Sequence, residues 1–288
     1  MPRGIPKAGY RNTKNNMLKK SVVKSVSLPI VVTQETDAQI RAKLAERFSA
    51  MDTMAEATVR GINKSLIVSG PAGLGKSYGV MHVAAKYEKQ GRNVVVIKGF
   101  VRPTGLYKTL YENRFKNCVI IFDDADSIFN DDISLNLLKS ACDMTRERNL
   151  HWLAETRMED QGGERLPTQF EFEGSIIFIT NYDFDGFIAK GNRLAPHFEA
   201  MISRSIYLDL AMKTRRDYMI RIEQIAPAMM VEAGMTVEDG KLIVDFINKN
   251  CDNLRELSLR MVMKLANLMK MNRSDWERLA RVTCFKSK

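Results

Sequence analysis

Two short stretches carry residue types whose spacing suits phosphate chemistry. The first, GPAGLGKS at residues 70–77, fits the pattern GxxxxGK[ST] at Gly70, Gly75, Lys76 and Ser77. Glycines let a backbone wrap an anion closely, and its N–H groups and the positive end of a following helix then bind phosphate oxygens. The pattern assigns Lys76 to the β and γ phosphates and Ser77 to Mg2+. Pro71, Ala72, Gly73 and Leu74 complete the loop, and Tyr78 follows it directly. The second stretch is VIIFDDAD at residues 119–126. Four apolar residues predict a buried strand, and Asp123 emerges at its carboxyl end, the edge where open α/β sheets bind ligands. There Asp123 would join the Mg2+ shell, and Asp124 would orient and polarise an attacking water. Asp124 is one methylene shorter than glutamate, which points to slow hydrolysis; an acidic doublet ending a strand also serves as plain helix-cap chemistry.

Both stretches need strands and helices to place them. SLIVS before the glycine loop reads as a short buried strand, and residues 76–90 read as a helix stopped by Gly91. NVVVIKG at 93–99, CVIIFDD at 118–124, SIIFITN at 175–181 and SIYLDL at 205–210 supply four more strands. Helical spacing appears at 36–60, 104–115 and 134–148. β-Branched runs alternating with helices predict a parallel five-stranded sheet covered on both faces, an αβα sandwich. Beyond Leu210 the strand signal stops. Residues 212–288 carry apolar side chains three and four apart, many of them Met, and read as a small helical lid with an adaptable core. The expected organisation is an arm at 1–33, a nucleotide-binding core at 34–211 and the lid at 212–288.

The net charge of the 288 residues is +10, and seven basic residues (Arg3, Lys7, Arg11, Lys14, Lys19, Lys20, Lys24) precede the first acidic one, Glu35. A stretch this polar, with prolines and glycines, cannot order itself alone and reads as a flexible basic arm: a phosphate-neutralising contact to nucleic acid or a solubilising tail. Cys118, Cys142, Cys251 and Cys284 are scattered without a CxxC pair, which argues against a zinc site or disulfide framework and for a reducing interior. No membrane span and no secretory segment are expected. His82, His151 and His197 have no partners at triad or ligand spacing.

Taken in order, these residues resemble an AAA+ ATPase, a P-loop NTPase, over about residues 40–285, and the whole is most similar to AAA+ proteins encoded in bacteriophage genomes. GPAGLGKS resembles Walker A, VIIFDDAD Walker B, IIFITN the sensor 1 strand and AMISRS the arginine-finger segment. The resemblance implies that Asn181 hydrogen-bonds the γ-phosphate or the lytic water. It implies that Arg204, with Arg193 as the fallback, reaches the ATP of a neighbouring subunit, so the protein would assemble as a homo-oligomeric ring or spiral, a hexamer being one such form. DNLREL at 252–257 resembles a sensor 2 helix start, which gives Arg255 to the phosphates; Arg260 is its rival.

Substrate would be handled at two places. KGFVRPTG places Phe100 and Val101 beside Lys98 and Arg102, where AAA+ rings often carry a pore loop; a lone aromatic is otherwise commonly core. The stretch at 150–174 alternates about Gly162 and Gly163 and reads as a β-hairpin, a pre-sensor insertion or an edge element. The functional expectation is an oligomeric ATPase using ATP and Mg2+ to remodel nucleic acid or nucleoprotein, of helicase-loader or replication-accessory type, in the cytoplasm (the host's, if phage-encoded). The alternatives are an ATP-switched, non-enzymatic assembly protein and a protein-remodelling unfoldase or chaperone.

Overall fold

The computed structural model describes residues 35–154, 158, 159 and 162–287. The basic arm therefore lies outside the described residues.

The chain opens on α1 (Asp37–Val59), started by a capping box in which Thr36 and Gln39 exchange side-chain-to-backbone bonds. Then follow β1 (Ser65–Ser69), α2 (Lys76–Glu88), β2 (Asn93–Lys98), α3 (Pro103–Glu112), β3 (Cys118–Asp123) and α4 (Asp132–Ala141). A two-stranded antiparallel pair, β4 (Asn149–His151) with β5 (Gln169–Glu171), precedes β6 (Ser175–Thr180). It is extended by a bridge between Glu159 and Arg165 about the Gly162–Gly163 turn, as the alternation predicts. Then come α5 (Phe184–Ala189), α6 (Ala195–Arg204), β7 (Ile206–Asp209) and four further helices: α7 (Arg215–Glu232), α8 (Val237–Asn250), α9 (Leu259–Met271) and α10 (Trp276–Cys284).

The five long strands form a parallel sheet in the order β2-β3-β6-β1-β7. The three inner strands are buried along their whole length, which is why they read as unbroken apolar runs. Alternate residues feed opposite faces. Ile67, Ile120, Phe122, Ile176 and Phe178 pack with α3, α4 and α6 residues such as Leu106, Leu138 and Phe198. Leu66, Val68, Val119, Ile121, Ile177 and Ile179 pack with α1 and α2. The last four helices close a separate core around Met230, Ile243, Met261, Leu265 and Met269, so the lid methionines are packing residues. The fold is thus an αβα P-loop sandwich with a C-terminal helical domain.

Two helices, α5 and α6, stand between β6 and β7 where the sequence reading gives none, and a third differs in length. The pattern at 134–148 extends to Arg148, but α4 ends at Ala141. Arg148 turns back and is buried, donating to the carbonyls of Ala141 (2.8 Å) and Gly174 (2.7 Å). Capping the helix end and fastening it to the loop before β6 outweighs another turn of helix.

Candidate functional site

All five parallel strands end on one edge, and the connections leaving the neighbouring strands β1 and β6 run to opposite sides of the sheet, to β2 and to β7. That switch point is where a ligand crevice forms. The glycine loop leaves β1 there. Gly75, with φ of +96°, is the N-cap of α2, so the loop's amides and the positive helix end converge. Gly73, with φ of +78°, packs so tightly on the lid that a Cβ would lie 2.7 Å from that of Ser258, and its carbonyl accepts from the Leu259 amide at 2.8 Å.

Lys76 is only 5% exposed. Its Nζ donates to the carbonyls of Gly70 and Pro71, the latter at 2.9 Å, and to Asn181 Oδ1 at 3.0 Å. Burial pushes its pKa down to about 8, with Asp124 and Asp126 opposing that shift. Asn181, just past β6, passes the contact on: its Nδ2 donates to Asp124 Oδ1 at 2.9 Å. Asp124 has a left-handed backbone (φ of +54°), a conformation aspartate tolerates at modest cost. That turn lifts its carboxylate away from the buried strand. Asp123 stays buried, and its Oδ1 accepts from Ser77 Oγ at 2.7 Å. Asp126 accepts from Thr180 Oγ1 at 2.6 Å, fixing the end of β6 on which Asn181 stands.

A cleft of about 940 Å³ opens between this edge and the lid. Ala72, Gly73, Gly75, Lys76, Ser77, Tyr78, Asp124 and Asn181 line its floor, α1 contributes Phe48 and Asp52, and α7 and α9 contribute Arg221, Met229, Leu259 and Arg260. Arg221 is nearly buried, its guanidinium lies over the Phe48 ring at 3.3 Å, and its Nε has no hydrogen-bond partner. Burial lowers its pKa to about 10, opposed by Asp52. Burial in turn raises the Asp52 pKa, opposed by Arg221 and His82. Tyr78 bridges the cleft, donating to Glu232 of α7 at 2.7 Å.

The structure brings Lys76, Ser77, Asp123, Asp124 and Asn181 together at this edge. The Leu74 side chain is buried in the core beside α1 and α2, which leaves its backbone as its part of the loop. Gly70 and Pro71 contribute carbonyls to Lys76 and do not line the cleft. Of the two rival lid arginines, the cleft takes Arg260 and leaves out Arg255. The latter is an exposed residue in the loop before α9, its amide bonded to Cys284 O at 3.0 Å. The helix starts at the Ser258 cap, just past the end of DNLREL, and brings Arg260 to 4.0 Å from Asp124. Arg204 lies at the other edge of the sheet, where its carbonyl accepts from Ser65 at the start of β1 and its side chain faces Asp143 at 3.7 Å. It does not reach this chain's own cleft. Arg193 is exposed and pairs with Asp132 at 2.7 Å. Phe100 is 76% exposed and is not core. Arg221 was invisible in the sequence, being one arginine among several in an amphipathic helix; only packing singles it out.

The cradle suits a nucleoside triphosphate: loop amides and a buried lysine for the phosphates, and an apolar, cation-bearing cleft beside them for the rest. The all-oxygen pair Ser77 and Asp123 suits Mg2+, a hard cation that takes few protein ligands and fills its shell with phosphate and water. Among the described residues no group of three or more His, Cys, Asp or Glu gathers for a metal. No described helix is long and apolar enough to cross a membrane.

Motif order, sheet topology and helical domain together define an AAA+-type P-loop nucleotide-binding fold. The chain is 34% identical over 265 residues, 91% of its own length and 80% of the relative's, to the uncharacterized 36.7 kDa protein in the nrdC-mobD intergenic region of Enterobacteria phage T4. It belongs to the family of that phage protein. No family model matches. Among solved structures, NtrX from Brucella abortus in complex with ATP aligns with 90% of this chain at 12% identity and a TM-score of 0.45, the chain spanning about half (55%) of that protein. The RuvB Holliday junction branch migration motor of Thermotoga maritima aligns with 84% of this chain and 71% of its own, at 17% identity and a TM-score of 0.36.

Proposed function

We propose that the protein is an ATP hydrolase that works as a homo-oligomer and remodels nucleic acid or nucleoprotein. The observation that carries the hydrolase reading is the hydrogen-bonded chain from Lys76 through Asn181 to Asp124. It sets a phosphate-charge binder and a carboxylate base on either side of one polar side chain, the arrangement needed to hold a γ-phosphate and a water together. Lys76 and the loop amides bind and orient the phosphates, and Arg260 adds positive charge from the lid. Mg2+, held through Ser77 and Asp123, would neutralise phosphate charge. Asp124, half exposed, accepts the proton of the water it orients, while Asn181 fixes the carboxylate's direction. Phosphate release measured in parent, Lys76→Ala and Asp124→Asn tests this; equal rates in all three would refute it.

Assembly rests on Arg204, which sits away from its own cleft and is suited to reach a neighbour's phosphates. Mixing inactive Lys76→Ala and Arg204→Ala chains should restore turnover; no complementation would remove this role. The nucleic-acid part rests on the basic arm, and it predicts turnover raised by DNA at low salt. The exposure of Phe100 supports a second reading, in which an extended polypeptide is the substrate. Parallel assays with single-stranded DNA, duplex DNA and unfolded protein separate the two. The short reach of Asp124 supports the ATP-switched assembly reading, for which nucleotide would change the mass of the particle without turnover. A cytoplasmic location fits all three readings and is tested by fractionation of expressing cells.

A further inference from the structure

Asp123 is held from two sides. Ser77 occupies Oδ1, and Lys98 Nζ lies 2.8 Å from Oδ2. Lys98 and Asp123 are register partners at the ends of β2 and β3, so their side chains rise from the same face of the sheet. The pair is lopsided: the carboxylate is 4% exposed, whereas the lysine side chain is 64% exposed. A lysine head on a flexible, solvated stem is free to leave; the buried carboxylate is not. Lys98 is followed by Gly99, which has φ of +85° and open space around it, and then by the exposed Phe100. Val101 is fastened again, its amide donating to Ser127 Oγ at 2.9 Å. The Gly99–Phe100 turn therefore runs between the end of the β2 ladder, where the Lys98 side chain is held by the ion pair, and the Val101 amide held by Ser127.

We infer that Lys98 is a tethered cation that competes with Mg2+ for Asp123, so that metal loading of the nucleotide site releases Lys98 and repositions the Phe100 loop. This rests on the nucleotide-site reading above. A unit charge and a divalent ion about 6 Å apart in a water-like medium repel by an amount worth about tenfold in a binding constant. Lys98 thus sets the metal affinity and positions a loop; it is not itself a group that touches the reacting atoms.

The test uses the full chain with ADP, so no hydrolysis enters the readout. Mn2+ is titrated into the ADP-saturated parent, Lys98→Met, Lys98→Gln and Lys98→Arg, with free Mn2+ read from its solution EPR signal. The expected result is about tenfold tighter Mn2+ in Lys98→Met and Lys98→Gln and parent-like binding in Lys98→Arg. In a Phe100→Trp chain, adding Mg2+ to the ADP-bound protein should shift the indole emission, and adding Lys98→Met should abolish most of that shift. Equal Mn2+ affinity in parent, Lys98→Met and Lys98→Gln, or an indole signal that metal leaves unchanged, overturns the inference while ADP binding stands. Failure of the parent to bind ADP both in EDTA and in Mg2+ overturns the nucleotide-site reading and the inference with it.

Discussion

The two walls of the cleft are built differently. The core wall takes its polar groups from three strand ends: Lys76, Ser77 and Tyr78 beyond β1, Asp124 after β3, and Asn181 after β6. The lid wall takes Arg221 and Glu232 from α7 and Arg260 from α9, with no local motif joining them. The core wall is rigid because neighbouring strands fix it; Asp124 N even bonds across to Ile179 O at 3.1 Å. The lid wall is tied on by side-chain contacts such as Tyr78 to Glu232, by Arg41 to Glu223 at 3.0 Å, and by the close approach of Gly73 to Ser258. Exposed pairs of that kind contribute little each. On the proposed function, that difference would place chemistry at the strand edge and adjustable affinity at the lid.

The sharpest way to break this contrast is Lys76→Ala, which should weaken ATP binding by about a hundredfold or more and leave the thermal midpoint within a few degrees of the parent. Binding that survives intact would move the phosphate site elsewhere. Asp124→Asn comes next: turnover should fall about 10²–10⁴-fold with ADP affinity within a few-fold, measured by phosphate release and titration calorimetry.

The lysine also gives a pH signature. Its pKa of about 8 in the folded chain lies below the ordinary 10.5. Only the protonated form serves a phosphate, so nucleotide affinity should fall as pH rises above 8, by up to about tenfold per unit, and binding should take up protons there. The unliganded fold responds with the opposite sign: the cost of burying the charge is full below pH 8 and is relieved between 8 and 10.5, so this group makes the fold more stable as pH rises across that window. Calorimetry in buffers of different ionisation heat checks the first, and thermal melts across the same range check the second.

The lid wall should give smaller effects. Arg260→Ala should weaken ATP about tenfold and ADP less, since its guanidinium faces Asp124. Arg255→Ala should leave both within about twofold, as befits an exposed loop arginine. A larger effect from Arg255 than from Arg260 would mean that the lid closes in a different register from the one described.

Much of the core wall was legible. The strand carrying VIIFDD is a continuous apolar run ending in carboxylates, and GPAGLGKS joins a strand to a helix, so element type and place coincide with the sequence reading. Helix ends were less legible. The pattern through Arg148 is helical in type, yet the arginine serves better as a buried cap for Ala141 and Gly174, partners 7 and 26 residues away. Arg255 misled because DNLREL carries the composition of a helix start while the cap that forms belongs to Ser258, whose neighbour Leu259 is held by the glycine loop.

The sequence by itself determined the alternation of strands and helices, the phosphate loop and the acidic doublet. These are encoded by near neighbours: period, turn residues and groups within a few positions of one another. Only the tertiary structure decided which lid arginine faces Asp124, that Arg221 is buried on Phe48, that Lys98 holds Asp123 and that Phe100 faces solvent. Those outcomes depend on which surfaces meet when α7 and α9 close over the sheet and β2 aligns with β3, and a side chain's burial and partners are properties of the packed chain rather than of its own segment.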